Sequence, residues 1–474
     1  MSLSKGYDVP QFDSLIAASI DRPLPDLTPR DVVMPRIPRK ADVVIGMRRS
    51  GKTYSLYQEM RRLLAEGVPR DRMLYMNLED DRLGQPDLAG LDQMLETFYR
   101  LSPAAREHGA FIFLDEVQVV EGWSRFARRV LDTEAARLYV TGSSAKMLST
   151  EVATEFRGRG FAVELLPFSF RESLRHGGID IPEAEPGSAL RSRLEAHLAT
   201  YLEVGGFPDV QTLDGEKRIQ TLQDYVELVL VRDVIERHGH AHVAAVRAFA
   251  AALLRASAQT FSVNKVFNDL TSRGLKVGKD TLHALLDELS DAFLVFPVSI
   301  FRRSLRARQI APKKAYAVDP GLALAMSHAL TEDVGRRLET TVYLELRRRL
   351  GRVREGAISY YVTGDGHEVD FVVGDRDEPH VAQLVQSCVS LRDAPTRVRE
   401  LRALNEAMTE LGRRDATIVT LYERDTVEVG AGTVEVVPAW RWLLGLEQRQ
   451  AAVTLDRTSG PRRLQWLRGQ PQKH

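Results

Sequence analysis

Cysteine is nearly absent from this sequence: Cys388 is the one example in 474 residues. A single cysteine cannot form an internal disulfide, which excludes the class of small secreted domains held together by disulfides. No apolar run approaches the roughly 18 residues that a membrane-spanning helix needs. The N-terminus also lacks the basic, apolar and small-residue pattern of a signal peptide. These absences predict a cytoplasmic protein that has no membrane contact.

The sequence also lacks a net charge, because Lys plus Arg and Asp plus Glu both total 65. A protein-wide basic surface for nucleic acid is therefore excluded, and any such binding must come from local patches. What is present is an ordinary globular composition, with 44% hydrophobic and 27% charged residues. This length and composition predict about three domains.

Changes of pattern along the chain divide it into six regions. Between positions 41 and 165, short apolar runs alternate with helical segments, which is typical of the buried strands of a parallel sheet. The predicted strands there are Ala41–Ile45, Met73–Asn77, Ala110–Leu114 and Arg137–Thr141. The six predicted regions are an N-terminal extension (1–40), an α/β core (41–165), a helical lid (166–240), a winged-helix-like domain (241–330), a second α/β unit (335–445) and a basic tail (446–474).

A phosphate-binding loop follows the first predicted strand. Residues 46–53 fit the pattern G-x-x-x-x-G-K-[ST] between a strand and a helix, where backbone N–H groups converge on phosphate oxygens. Lys52 is expected to reach the β- and γ-phosphates, and Thr53 to hold Mg²⁺ through its hydroxyl. The alternative is a structural glycine turn, but four positions and the context agree on the loop. The predicted nucleotide contacts are Gly46, Arg48, Arg49, Ser50, Gly51, Lys52 and Thr53.

Two further strands end in polar residues suited to phosphate chemistry. The strand before Asp115 and Glu116 delivers both carboxylates to the sheet edge where ligands of open α/β sheets bind. Asp115 would orient the Mg²⁺ shell, and Glu116 would polarise the attacking water. Alone, this segment could be a strand that ends in a solvated turn. After the next strand, Thr141 or Ser143 would sense the γ-phosphate, unless the segment is simply a Ser/Gly turn.

Together these motifs resemble the AAA-type ATPases of bacteria and archaea that carry a C-terminal domain of unknown function. The resemblance rests on Gly46–Thr53, Phe113–Gln118, Thr141–Ser144, Gly158–Arg159, Leu166–Glu172, Gly205–Pro208 and Arg232–Asp233. It implies an ATP-binding, Mg²⁺-dependent AAA fold with a helical lid, working as a homo-oligomer that could be a ring. It also implies that Gly206 and Pro208 lie against the adenine. Arg159 or Arg157 would reach a neighbour's γ-phosphate, the alternative being a surface or intradomain ion pair.

The region 335–445 resembles the core of PD-(D/E)XK nucleases. Glu339 matches the carboxylate on the helix, and Asp370 matches the carboxylate on the strand. Gln386 and Cys388 stand where the next carboxylate and the lysine belong, and neither is a good substitute in Mg²⁺ chemistry. The resemblance therefore implies a retained fold with a degenerate cluster of Glu339, Asp370 and Gln386, and it speaks against nuclease activity. The predicted fold class is α/β: a P-loop AAA-type domain with a helical lid, a winged helix and a restriction-endonuclease-like domain.

A basic segment occupies the expected wing of the winged helix. Residues 301–314 contain six basic and no acidic residues, namely Arg302, Arg303, Arg306, Arg308, Lys313 and Lys314. A second basic cluster is formed by 347–349, with Arg352 and Arg354. Such groups suit contacts to DNA phosphates, although a solvated, charge-balanced face is the alternative. The first functional hypothesis is an ATP-hydrolysing AAA-type ATPase that handles duplex or branched DNA. The second is a nucleotide-dependent signalling or scaffold switch with a protein partner.

Overall fold

The structure is a computed structural model that describes residues 9–143, 158–240, 242–327, 334–351, 356–375 and 380–446. Several sequence predictions fall outside these ranges. They are those for Ser144, Arg157, Arg352 and Arg354, and those for nearly the whole tail.

The N-terminal core is a parallel sheet, as the sequence predicts, and it has five strands. The strands are β1 (Ala41–Ile45), β2 (Met73–Asn77), β3 (Ala110–Asp115), β4 (Ala136–Gly142) and β5 (Gly160–Glu164). They lie in the order β2-β3-β4-β1-β5, and every neighbouring pair is parallel. All carboxyl ends therefore meet at one edge. The fifth strand was not predicted, because only part of it is apolar.

Helices cover both faces of this sheet. They are α1 (Val9–Asp21), α2 (Lys52–Ala65), α3 (Leu88–Leu101), α4 (Pro103–His108) and α5 (Trp123–Thr133). One face packs in the largest hydrophobic core, which includes Phe98 and Trp123. The other face packs against α2 through Leu56 and Met60. The first residue of α2 is Lys52, so the phosphate loop leads directly into a helix whose buried face is fixed on the sheet.

The lid consists of α6 (Phe170–His176), α7 (Ser188–Val204) and α8 (Gly215–Val229). The last helix continues through a π-helical segment, Leu230–Ile235, into the short α9 (Glu236–His238). A turn at Gly205–Gly206 connects α7 to the next element. A Cβ at Gly206 would come within 2.2 Å of the Phe168 carbonyl oxygen, so only glycine fits there. This close approach holds the lid turn against the backbone that follows β5.

A second unit contains a three-stranded antiparallel sheet in the order β6-β8-β7. Its elements are α10 (Val243–Arg255), β6 (Gln259–Phe261), α11 (Val263–Ser272), α12 (Lys279–Asp291), β7 (Val295–Val298), α13 (Leu305–Ile310), β8 (Lys313–Ala317) and α14 (Pro320–Ala325). The two helices predicted around the turn at Gly274 are α11 and α12. The loop between β7 and β8 was predicted as a wing, and it contains the short helix α13.

The C-terminal unit is built on a mixed sheet of six strands in the order β13-β14-β12-β11-β10-β9. Its elements are α15 (Val334–Leu350), β9 (Ile358–Val362), β10 (Glu368–Asp375), β11 (His380–Ser387), α16 (Ala394–Leu411), β12 (Asp415–Thr420), β13 (Asp425–Val429), β14 (Gly432–Pro438) and α17 (Ala439–Leu443). Helices α15 and α16 belong to different hydrophobic cores. Leu338 of α15 lies in the largest core, and Leu404 of α16 lies in a separate one.

The end of α15 is bound to the N-terminal core, which corrects the prediction for the second basic cluster. Arg347 forms an ion pair with Glu164 at 2.5 Å. Arg348 donates to the Pro167 carbonyl oxygen at 2.9 Å. Arg349 pairs with Glu345 on its own helix at 3.0 Å. These guanidinium groups are satisfied inside the protein, so they do not form a surface for DNA phosphates.

Candidate functional site

Lys52 lies at the centre of the phosphate loop. Its ammonium donates to the Gly46 and Met47 carbonyl oxygens at 3.3 and 3.4 Å. It also lies 3.6 Å from Glu116 Oε1. The loop thus wraps around one buried cation at the carboxyl edge of the sheet. This is the position that a phosphate-binding lysine needs.

A set of hard oxygen donors lies next to Lys52. Thr53 Oγ1 donates to Asp115 Oδ2 at 2.7 Å, and the Tyr75 hydroxyl reaches the same oxygen at 3.1 Å. The Thr141 hydroxyl donates to the other oxygen of Asp115. Burial is the main cause that raises the pKa of Asp115. A hydroxyl and a carboxylate side by side are ligands that Mg²⁺ prefers, so Thr53 and Asp115 suit a Mg²⁺ shell.

Glu116 is held in an unusual backbone conformation. Its φ of +56° lies in the left-handed region, which a non-glycine residue adopts only when its surroundings enforce it. The enforcing contact is the Glu116 N–H, which donates to Thr141 Oγ1 at 2.9 Å. Burial opposes ionisation of the carboxylate, but the Lys52 charge and the Gln118 amide outweigh it and lower the pKa of Glu116. The result is an ionised proton acceptor aimed beside the phosphate loop.

Asp233 connects the lid to this site, a role that the sequence motif did not reveal. Ser143 Oγ donates to one oxygen of Asp233 at 3.0 Å. Arg48 Nε donates to the other at 3.1 Å. Asp233 lies in the π-helical segment of the lid, a feature frequent at functional sites. The predicted sensor residue Ser143 and the loop residue Arg48 therefore meet on one lid carboxylate.

A cavity of about 1650 Å³ runs from the phosphate loop to the lid. The residues that line it include Leu27, Thr28, Phe168, His176 and Pro208. Thr28 Oγ1 and His176 Nδ1 are 2.7 Å apart. Pro208 belongs to this lining, and its contact with the nucleotide base stays a prediction. The Gly206 N–H donates inward to Asp319 at 2.6 Å, and the contact of Gly206 with the adenine also stays a prediction.

Arg30 fastens the N-terminal segment to the phosphate loop. Its guanidinium donates to the Ser50 carbonyl at 2.9 Å and to the Leu166 carbonyl at 2.5 Å. It also pairs with Glu172 at 3.0 Å, and both side chains are about 95% buried. The sequence predicts that residues 1–40 are an N-terminal extension. No local pattern marks an arginine whose partners are so distant in the chain.

The remaining predicted arginines of the ATPase core are divided between two places. Arg49 lines the cavity, with its guanidinium 6.0 Å from the Tyr225 ring. Arg159 precedes β5 and is therefore at the opposite edge of the sheet, where it pairs with Asp132. Within one chain Arg159 cannot reach the phosphate loop. The intradomain ion pair that was the alternative is present.

Lys314 is not a surface residue, and its predicted contact with nucleic acid is wrong. Its side chain is only 2% exposed, and its ammonium lies 2.8 Å from Glu339 and 3.1 Å from Asp370. In β8 side chains alternate between the two faces, and this register turns Lys314 inward. The other members of the basic segment are more accessible: Arg302, Arg303 and Arg306 are exposed, and Arg308 and Lys313 are half-buried. Among the described residues, no carboxylate pairs with Arg302, Arg303 or Arg306.

The predicted nuclease-like cluster is only partly assembled. Lys314 joins the side chains of Glu339 and Asp370, whereas the Gln386 side chain meets the backbone of Asp370 and the side chain of Glu400. Its Oε1 accepts from the Asp370 N–H at 3.0 Å, and its Nε2 donates to Glu400 at 2.8 Å. Across the described ranges, no group of three or more His, Cys, Asp or Glu side chains is arranged to hold a metal ion.

Glu339 should make stability depend on pH. Burial, and then the Asp370 charge, raise the pKa of this carboxyl from 4.5 to about 8. Between these values the folded state holds a proton that the unfolded state has released, so stability falls as pH rises through this window. We expect Glu339→Gln to flatten the profile of unfolding free energy between pH 4.5 and 8, measured by urea denaturation. The exposed control Glu216→Gln should keep the wild-type slope; parallel profiles for all three proteins would contradict the assignment.

Comparison with known proteins assigns the N-terminal part. Residues 38–174 match the family described as "AAA domain", and residues 195–333 match "Domain of unknown function (DUF8612)". The uncharacterized protein MJ1544 of Methanocaldococcus jannaschii is 30% identical over 422 residues, which cover 88% of this chain and 90% of that protein. The chain belongs to the MJ1544 family. The AAA-type assignment of its N-terminal domain is confirmed.

Other similarities to this MJ1544-family protein are weaker. An uncharacterized protein of Haemophilus influenzae is 28% identical over 338 residues, 71% of this chain and 80% of that protein. The crystal structure of Cdc6p from Pyrobaculum aerophilum covers 67% of this chain and 91% of its own, with 11% identity and a TM-score of 0.23. That score is too low to carry a conclusion. None of the described helices is long and apolar enough to cross a membrane.

Proposed function

We propose that this protein hydrolyses ATP with Mg²⁺ and uses the cycle to act on duplex or branched DNA. The observation that supports hydrolysis is the convergence of an ammonium, a hydroxyl and two carboxylates in one cavity. These groups come from Lys52, Thr53, Asp115 and Glu116. Two separate segments supply them, the start of α2 and the end of β3, so their meeting is not a by-product of one local turn.

Each group has a role in phosphoryl transfer. Glu116 accepts a proton from the attacking water, whose oxygen forms a bond to the γ-phosphorus while the bond to the β–γ bridging oxygen breaks. The products are ADP and inorganic phosphate, and the proton leaves with the phosphate. Lys52 stabilises negative charge on the phosphates. Bound Mg²⁺, which Thr53 and Asp115 suit, would neutralise further phosphate charge.

The lid would report the state of the nucleotide. Asp233 holds Arg48 of the phosphate loop and Ser143 at the end of β4. A γ-phosphate competes for both of these donors, so its arrival would loosen their hold on the lid carboxylate. In a homo-oligomer, Arg159 at the opposite sheet edge would face the neighbouring subunit, although it must first leave Asp132.

The DNA role is proposed from the second unit. Its order of helix, strand, two helices and two strands, with the short α13 between the last two strands, supports the predicted winged helix. The β7–β8 loop carries the four arginines of the basic segment. Arg302, Arg303 and Arg306 are exposed there. Helix α12 offers few side chains suited to reading bases, so we expect recognition of the DNA backbone and shape.

The test is ATPase rate with no DNA, duplex, single-stranded and four-way-junction DNA, for wild type and Glu116→Gln. We expect one DNA form to raise the wild-type rate. Joint replacement of Arg302, Arg303 and Arg306 by alanine should remove this rise and lower the salt dependence of DNA binding by about 2 to 3 in slope. The control is joint replacement of three exposed arginines of the ATPase core that are already paired with acids: Arg100, Arg106 and Arg129. This control variant should keep the rise in ATPase rate with DNA.

A nucleotide-dependent switch with a protein partner is the second candidate. It is favoured by the ion pairs that bind α15 to the ATPase core, since they offer a route for a conformational change. An ATPase rate that ignores every DNA, with no DNA retardation at low salt, would reject the DNA role. Slow turnover with nucleotide retained through purification would then support the switch.

A further inference from the structure

Three acidic side chains surround one ammonium where the second unit meets the C-terminal unit. Lys314 of β8 lies 2.7 Å from Glu368, 2.8 Å from Glu339 and 3.1 Å from Asp370. Glu339 belongs to α15, whereas Glu368 and Asp370 belong to β10. The ammonium thus links a strand of the three-stranded sheet to both a helix and a strand of the C-terminal unit.

Carboxyl groups hold the ammonium of Lys314 at this centre. It donates hydrogen bonds to Glu339 and Asp370, and Glu368 lies 2.7 Å away as an ion-pair partner. Burial alone would lower the pKa of Lys314, but the three carboxylates outweigh it and raise that pKa well above its usual value. Lys314 is therefore a buried ammonium, 2% exposed, that is held by ion pairs.

The carboxylates have few other donors. Tyr316 donates its hydroxyl to Glu339 at 2.7 Å, and the Ser387 N–H and hydroxyl donate to Asp370 at 3.0 and 2.8 Å. These neutral groups do not balance the negative charge of Asp370, whose side chain is 8% exposed, or that of Glu368, whose side chain is 41% exposed. Buried carboxylates need a cation, and oxygen donors in such a group are the ligands that hard divalent metals take.

We propose that Lys314 is the resident cation of this centre, and that the acids around it, which as arranged here are no metal site, bind a divalent metal ion only when the ammonium is removed. The C-terminal unit is thereby independent of metal and does not cleave phosphodiesters. The ammonium also fastens the three-stranded unit to the C-terminal sheet. This proposal is independent of ATP hydrolysis, whose residues lie in another cavity.

The experiment compares wild type, Lys314→Met and the exposed control Lys265→Met for Mn²⁺ binding without nucleotide, by electron paramagnetic resonance and thermal unfolding. Wild type and the control should bind no Mn²⁺ at this centre, and their Tm should not respond to Mn²⁺ or EDTA. Lys314→Met should have a lower Tm, gain Mn²⁺ affinity by at least about tenfold over wild type and recover Tm with Mn²⁺. The double variant Lys314→Met/Asp370→Asn should lose that gain.

Two outcomes overturn the proposal. One is a folded Lys314→Met that gains no Mn²⁺ affinity. The other is Mn²⁺ bound to the wild type but not to Asp370→Asn, or Mn²⁺-dependent DNA cleavage that Asp370→Ala abolishes. The wild-type comparison needs only Asp370 variants, so it decides the matter even if Lys314→Met does not fold. Loss of ATPase activity has no bearing on either result.

Discussion

Glu116→Gln should reduce ATP hydrolysis by about two to four orders of magnitude while ATP still binds. Glutamine keeps the size of the side chain, and the Glu116 N–H bond to Thr141 does not involve the replaced group. What is lost is the ionised acceptor for the proton of the attacking water. Binding should persist because Lys52 and the loop backbone, which we propose contact the phosphates, are unchanged.

Lys52→Ala is the contrasting variant for this experiment. It removes the ammonium around which the phosphate loop is wrapped, so nucleotide affinity itself should fall. Titration with a fluorescent ATP analogue, next to a phosphate-release assay, separates the two effects. Wild-type turnover in Glu116→Gln would mean that another group activates the water. Equal loss of ATP affinity in both variants would mean that Glu116 mainly supports the shape of the loop.

Arg30→Met should lower the free energy of unfolding by about 3 to 5 kcal/mol. The substitution leaves the Glu172 carboxylate without the guanidinium that neutralises it, in surroundings where its side chain is only 3% exposed. The Ser50 and Leu166 carbonyl oxygens lose their donor at the same time. Because Ser50 belongs to the phosphate loop, ATP affinity should fall together with stability.

The matched control for Arg30 is Arg61→Met. Arg61 also contacts the N-terminal segment, through the Pro25 carbonyl at 2.7 Å, but its side chain is 41% exposed. We expect its loss to cost about 0 to 1 kcal/mol. Urea denaturation with and without ATP measures both quantities. Similar small losses for the two variants would show that burial of the Arg30–Glu172 pair contributes little to holding the loop.

The sequence predicts well those parts of the fold that depend on neighbouring residues. Strands β1 and β2 begin and end where their apolar runs do, and the phosphate loop lies between β1 and α2 because its spacing requires a strand and a helix. Gly206 shows what a motif can and cannot predict. The turn lies where the motif places it, but the motif does not reveal that the Gly206 N–H donates to Asp319, more than a hundred residues away.

Contacts between residues that are far apart in the sequence could not be predicted. Arg30, Asp233 and Lys314 have no local pattern that reveals their partners. For Lys314 a weak signal exists, since an apolar strand sequence, Ala315–Val318, follows it directly. A lysine that opens such a strand and faces its buried side must find carboxylates within the core. The run of six basic residues concealed this, because charge alone does not tell which side of a strand a residue occupies.

The way α15 is held at both ends determines where this chain can be cut. Glu339 lies near its start and Arg348 near its end, about 14 Å further along at 1.5 Å per residue. A fragment ending before α15 would leave Glu164 without Arg347, the Pro167 carbonyl without Arg348, and Lys314 without its carboxylates. The fragment would contain the negative charge of Glu164 and the positive charge of Lys314 without the partners that neutralise them. The sequence pattern therefore changes between the second unit and the C-terminal unit, but the chain on either side of this point does not fold independently.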